Sequence, residues 1–142
     1  MPRVVLRDRD EDIVTSDMGT FRIDFEIAHV ARRGERRVVR NVLVDTGAEF
    51  SVFPATLLDE LGVERLKQVT FRQADGSSFA RWMGPVLIFA ADTVTADEVV
   101  FGEPEDIVLL GAHSLEGLNV RVEPITRRLV DAGPVIAGAL AA

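Results

Sequence analysis

The chain has 142 residues, 47% of them hydrophobic and 27% charged, enough for one compact domain that buries roughly 70% of the surface an unfolded chain exposes. That arithmetic excludes global disorder and disfavours a two-domain enzyme. A formal net charge of -7 has the wrong sign for a nucleic-acid or anionic-membrane partner, and the absence of Cys removes disulfides, thiolate metal sites and a Cys nucleophile.

Residues 1–19 are dense in Arg and Asp, carry no apolar signal-peptide core and read as an N-terminal extension, so a cytoplasmic location is expected. Apolar stretches at residues 83–91 and 133–142 are shorter than the ~20 residues a membrane-spanning helix needs. From residue 20 onward the pattern is β. Phe21, Ile23, Phe25 and Ile27 alternate with Arg22, Asp24 and Glu26, which predicts a half-buried strand over residues 20–30. ARRGERR, residues 31–37, reads as a solvated turn before VVRNVLVD resumes the second arm of a hairpin.

Leu57, Leu58 and Leu61 share one helical face behind Pro54, and Gly62 is placed to terminate, predicting a helix over residues 54–61. Next, VTFRQA and SSFARWM flank Asp75-Gly76, a tight-hairpin signal because primed turns need positive φ; PVLIFA reads as a further strand. Residues 99–101 and 107–110 are short apolar runs, residues 112–118 allow one or two helical turns, and residues 120–130 suit a closing hairpin that bends near Pro124. With no strand–helix–strand alternation, the expected fold is a mostly antiparallel barrel or folded sheet with one or two short helices.

The stretch richest in chemistry is VLVDTGAEFSV, residues 42–52. A β-branched strand runs into Asp45-Thr46-Gly47-Ala48, which puts a carboxylate where a buried strand becomes a tight loop. Asp45 suits general acid–base work, Thr46 offers a hydroxyl to hold the loop, Gly47 admits close backbone approach, and Ala48 leaves a cleft uncrowded. For a bare D-T-G an Asx-turn after a strand is the simpler explanation, and the context changes the balance. The surrounding chain adds Leu109-Leu110-Gly111 before a short helical segment, with the Asp75-Gly76 hairpin between the two elements.

Together these features resemble the retroviral-type aspartic proteases, the retropepsin-like family, over residues 20–130. The resemblance implies a mostly β, single-lobe retropepsin-like acid protease barrel, active as a homodimer on peptide or protein substrates without cofactor or metal. It makes Asp45 the catalytic residue and assigns Thr46, Gly47 and Gly111 to support of the active-site loop. Gly47, Ala48, Glu49 and Phe50 would bind substrate, and Ala74, Asp75, Gly76 and Ser77 would form the flap tip. Only one D-T-G occurs, because Asp92-Thr93 is followed by Val94. A two-fold axis is therefore expected to supply the second carboxylate.

The departures matter too. Phe50 stands where some retroviral members carry a second acid, Ala112 stands where they commonly place an Arg that ties the dimer, and the hairpin tip is not glycine-rich. The pattern looks more like the cellular or prokaryotic branch. Without that Arg, apolar segments such as residues 4–6 and the tail, residues 131–142, become candidate interface strands. Other readings of the same residues are a dimeric peptide-binding module of this fold that hydrolyses poorly, and a structural β-domain with an accidental D-T-G.

His113 beside Ser114 offers the residue types of a serine triad, although adjacency in sequence does not supply that geometry. His29 and His113 lack a metal-ligand spacing motif. Trp82 suits core or flap-base packing, or the wall of a subsite. Phe50, Phe53 and Trp82 together suggest an apolar substrate preference.

Overall fold

A computed structural model describes residues 21–135. The N-terminal extension, the segment at residues 4–6 and the tail from residue 136 onward lie outside the described residues. The elements in chain order are β1 (Phe21–Ala28), β2 (Arg37–Val44), β3 (Val52–Pro54), α1 (Ala55–Glu60), β4 (Lys67–Arg72), β5 (Ser78–Ala90), β6 (Thr93–Gly102), β7 (Leu109–Leu110), α2 (Ala112–Gly117), β8 (Val120–Glu123) and β9 (Arg128–Asp131). The described chain is mostly β with two short helices. None of its helices is long and apolar enough to cross a membrane.

Seven strands form one sheet in the order β1-β2-β7-β3-β6-β5-β4, and β1 also pairs with β5 through Glu26↔Phe89, Ile27↔Ile88 and Ala28↔Leu87. The sheet therefore closes on itself, and β4 projects as the outer arm of a hairpin with β5. Its interior holds Phe25, Ile27, Val42, Val44, Phe53, Val86, Ile88, Val99, Phe101 and Leu110, with Leu58 from α1 and Leu115 and Leu118 from α2 joining the same cluster. Alternate residues of β1 face inward here, as the period-two pattern predicts.

Several expectations are refined. Most pairings are antiparallel, but β2 runs parallel to β7 and β3 parallel to β6. This arises because β7 inserts between β2 and β3, parallel to the first and antiparallel to the second. Their residues Val44, Val52, Leu109 and Leu110 are buried, as central parallel strands require. SSFARWM and PVLIFA are one 13-residue strand, β5, whose first half pairs with β4 and whose second half pairs with β6 and β1.

Pro54 ends β3 and occupies the N-cap position of α1, one residue before the helix proper. At the other end Gly62 has φ +75, its N–H donates to Asp59 O at 3.0 Å, and Val63 N–H donates to Leu58 O at 3.0 Å. That pair of bonds satisfies the last carbonyls and needs a residue free of Cβ strain at Gly62. The Asp75-Gly76 hairpin is not a two-residue primed turn. Gly76 N–H donates to Gln73 O, Gln73 N–H donates to Ser77 O, and of the tip residues only Gly76 has positive φ, +90. This is a three-residue loop closed by a left-handed glycine.

Candidate active site

Asp45 follows the last residue of β2 and is 5% exposed. Its N–H donates to Leu110 O of β7 at 2.9 Å, which continues the parallel pairing one step into the loop. Gly47 N–H donates to Asp45 Oδ1 at 2.9 Å, and Ala48 N–H donates to Asp45 O at 3.2 Å. The loop thus curls round its own carboxylate, and a Cβ on Gly47 would stand 3.3 Å from Asp45 Oδ1. Thr46, Gly47 and Glu49 are exposed beside this buried acid, Ala48 is buried and Phe50 half-buried.

The loop is fastened to the start of α2. Ala112 N–H donates to Ala48 O at 2.8 Å and His113 N–H to Glu49 O at 3.0 Å. Gly111 makes this approach feasible, since a Cβ there would lie 2.7 Å from the carbonyl carbon and oxygen of Phe50. Gly111 is thus brought to the Asp45 loop as its supporting neighbour. Ala74, Asp75, Gly76 and Ser77 sit exposed at the tip of the β4–β5 hairpin. Ser77 N–H and Oγ both donate to Asp75 Oδ1, at 2.9 and 2.6 Å, and these bonds draw the Asp75 carboxyl below its ordinary value.

What joins hairpin and loop is aromatic. Phe71 of β4 stacks on Phe79 of β5 with ring centroids 5.5 Å apart, and Phe71 meets Phe50 edge-on at 6.2 Å. These rings pack with Val69, Ile107 and Leu43 on a second cluster built from Ala48, Val52, Met83, Val100 and Leu109. Trp82 belongs to neither cluster. It lies on the opposite face of β5 from Phe79 and is 40% exposed, so it is not a core residue. Phe53 is fully buried against Phe25, which removes it from any substrate contact.

The fold assembles two polar clusters, and of their members only His113 and Ser114 stand out in the sequence. Arg81 and Asp106 form a buried pair that ties the hairpin to the turn before β7, and Asp106 also accepts Glu103 N–H at 2.8 Å. Hydrogen bonding to the Asp106 carboxylate holds the Arg81 guanidinium above its ordinary value, against the effect of burial. Arg81 shares period-two parity with Phe79 and Met83, a charged residue on an apolar face that calls for a partner. Asp97 similarly shares parity with Val99 and Phe101 of β6.

The second cluster contains Asp97, His113, Ser114 and Ser51. The three residue types of a serine triad do meet, but in the wrong order. Ser114 Oγ donates to Asp97 Oδ2 at 2.6 Å while His113 Nδ1 meets Asp97 Oδ1 at 2.8 Å, so the carboxylate is central and no imidazole faces the serine. Ser114 is moreover fully buried. Among the described residues no group of three or more His, Asp or Glu converges as a metal site.

A cavity of about 620 Å³ lies elsewhere, beside the 31–37 turn, and is lined by Arg33, Arg36, Phe89 and Asp92 among others. Arg36 is occupied there, 3.7 Å above the Phe89 ring and 3.3 Å from Glu26 Oε1. None of the Asp45-site residues lines this cavity. The chain matches no family model and no curated protein.

Proposed function

We propose that the chain is an aspartic endopeptidase of the retropepsin-like type, acting as a homodimer with one Asp45 from each protomer. The observation that carries this reading is the Asp45 loop. A buried carboxylate accepts Gly47 N–H inside a loop fastened to β7 and α2, while its neighbours Thr46, Gly47 and Glu49 stay exposed. Those exposed residues suit contact with a second copy and with a peptide. The closed sheet, the crossing of β7 between β2 and β3, and the projecting β4–β5 hairpin support the same reading.

Chemically, two carboxylates brought together across a two-fold axis cannot easily both ionise, so they share one proton and titrate as a pair. The ionised member accepts a proton from a water molecule as its oxygen attacks the scissile carbonyl. The protonated member donates to the carbonyl oxygen, giving a tetrahedral diol. Proton transfer to the amide nitrogen then releases the amine as the C–N bond breaks, and no covalent enzyme intermediate forms. The half-buried Phe50, Phe71 and Phe79 favour apolar side chains near the cut.

The test is sedimentation combined with cleavage of a diverse peptide library by wild type and Asp45→Asn. The expected result is a dimer in both cases and cleavage by wild type alone. A monomeric wild type, or cleavage that persists in Asp45→Asn, contradicts the reading.

A further inference from the structure

Four hydrogen bonds connect the active-site corner to a histidine in solvent. Gly111 N–H donates to Ser51 Oγ at 2.9 Å, the Ser51 and Ser114 hydroxyls stand 2.6 Å apart, Ser114 Oγ donates to Asp97 Oδ2 at 2.6 Å, and Asp97 Oδ1 meets His113 Nδ1 at 2.8 Å. Ser51, Ser114 and Asp97 are buried, whereas the His113 side chain is 60% exposed. A carboxylate only accepts, so Ser114 gives its proton to Asp97 and Ser51 in turn donates to Ser114. Gly111 N–H fills the acceptor side of Ser51. Each hydroxyl in the chain therefore has one orientation, fixed by the charge on Asp97.

Both ends of His113 reach the loop that carries Asp45. Its backbone N–H holds Glu49 O at 3.0 Å, and its ring lies tilted against Phe50 with centroids 6.2 Å apart. We propose that Asp97 and His113 are positioning residues for the Asp45 loop, setting through Ser114 and Ser51 how Gly111 and α2 hold it. The structural part stands independently of the protease reading, and only its kinetic consequence rests on that reading.

The charges that act on the His113 ring are those of Asp97 from β6, Glu116 on α2 and Glu49 from the loop. All are acids, and the Asp97 hydrogen bond, followed by its charge, raises the histidine above its ordinary value against partial burial. A neutral imidazole still donates through Nδ1–H. Deprotonation therefore removes the charge while leaving the hydrogen bond, and the effect on the serine chain is graded.

The experiment follows amide and imidazole resonances of the ¹⁵N-labelled full chain from about pH 5 to 9, in wild type and His113→Gln, whose exposed position tolerates the change. The Gly111 and Ala48 amides are expected to inflect at the His113 ring midpoint in wild type and to lose that inflection in the variant. A Gly111 amide that stays flat through the His113 titration overturns the proposal, whatever the protein cleaves. In a cleavage-competent protein, His113→Gln lowers kcat by roughly threefold to tenfold and shifts its alkaline limb, with KM within about twofold. A change in KM alone overturns the positioning role. A chain that cleaves nothing yet shows the linked titration keeps the positioning role and loses the protease.

Discussion

Arg81 and Asp106 form a two-pronged buried ion pair, Nε to Oδ2 at 2.8 Å and Nη2 to Oδ1 at 3.0 Å, with side chains 6% and 1% exposed. It fastens the β4–β5 hairpin to the turn that leads into β7. Removing Asp106 leaves the buried Arg81 with the more distant, half-exposed Glu103 at 3.6 Å, so Asp106→Ala should cost up to about 3–5 kcal/mol in urea denaturation. The double change Arg81→Met with Asp106→Leu should recover most of that loss. Equal destabilisation by the single and double variants would argue against the pair as the fastening.

Gly111→Ala places a Cβ 2.7 Å from backbone atoms of Phe50, which cannot rotate away as a side chain would. The loop must shift, at about 1–3 kcal/mol of overpacking strain. A lower thermal midpoint is expected, with weakened peptide cleavage on the protease reading, and an unchanged midpoint would show that the contact relaxes freely.

Stability should depend on pH through His113. Its folded value is raised above 6.5 chiefly by the Asp97 hydrogen bond, so the folded state binds the proton more tightly than the unfolded chain. The stabilisation is fully present below pH 6.5 and is lost as pH rises through the folded value. Exposure keeps the effect small. Thermal midpoints of wild type should fall across that window while His113→Gln stays flatter, and superimposable profiles would refute the linkage.

Phe71 touches both Phe79 and Phe50. On the protease reading, Phe71→Ala raises KM for peptides with apolar residues near the cut more than it lowers kcat. Trp82→Ala, on the opposite face of β5, leaves both parameters near wild type. Steady-state kinetics on one apolar peptide series checks both, and the reverse pattern would move the subsite to the Trp82 face.

Local pattern made much of this fold legible. The alternation in residues 21–27, the Leu57-Leu58-Leu61 face and the Pro54 and Gly62 boundaries anticipate β1 and α1 because they depend on neighbours in sequence. The expectation that Gly111 supports the Asp45 loop matches its place in the fold, where a Cβ would lie 2.7 Å from the Phe50 backbone. Less accessible was anything set by distant pairing. β7 is two residues long, and its placement between β2 and β3 comes from burial of Leu109 and Leu110, not from propensity. Arg81, Asp97 and Asp106 are ordinary charges in a linear reading and become buried only when β5, β6 and the turn before β7 close over them. Trp82 shares parity on β5 with the core residues Val86 and Ile88, but it lies in the half of the strand that projects with β4, where nothing covers that face enough to bury it.

Peptide hydrolysis at Asp45 is tested most directly by mass-spectrometric scoring of a diverse peptide library, from about pH 3 to 8, with wild type, Asp45→Asn and a mixture of the two. Homodimeric catalysis at Asp45 predicts bell-shaped cleavage by wild type, none by a still dimeric Asp45→Asn, and inhibition in the mixture as mixed dimers form. Undiminished cleavage by Asp45→Asn, or a dimeric wild type that cuts nothing at any pH, would contradict it.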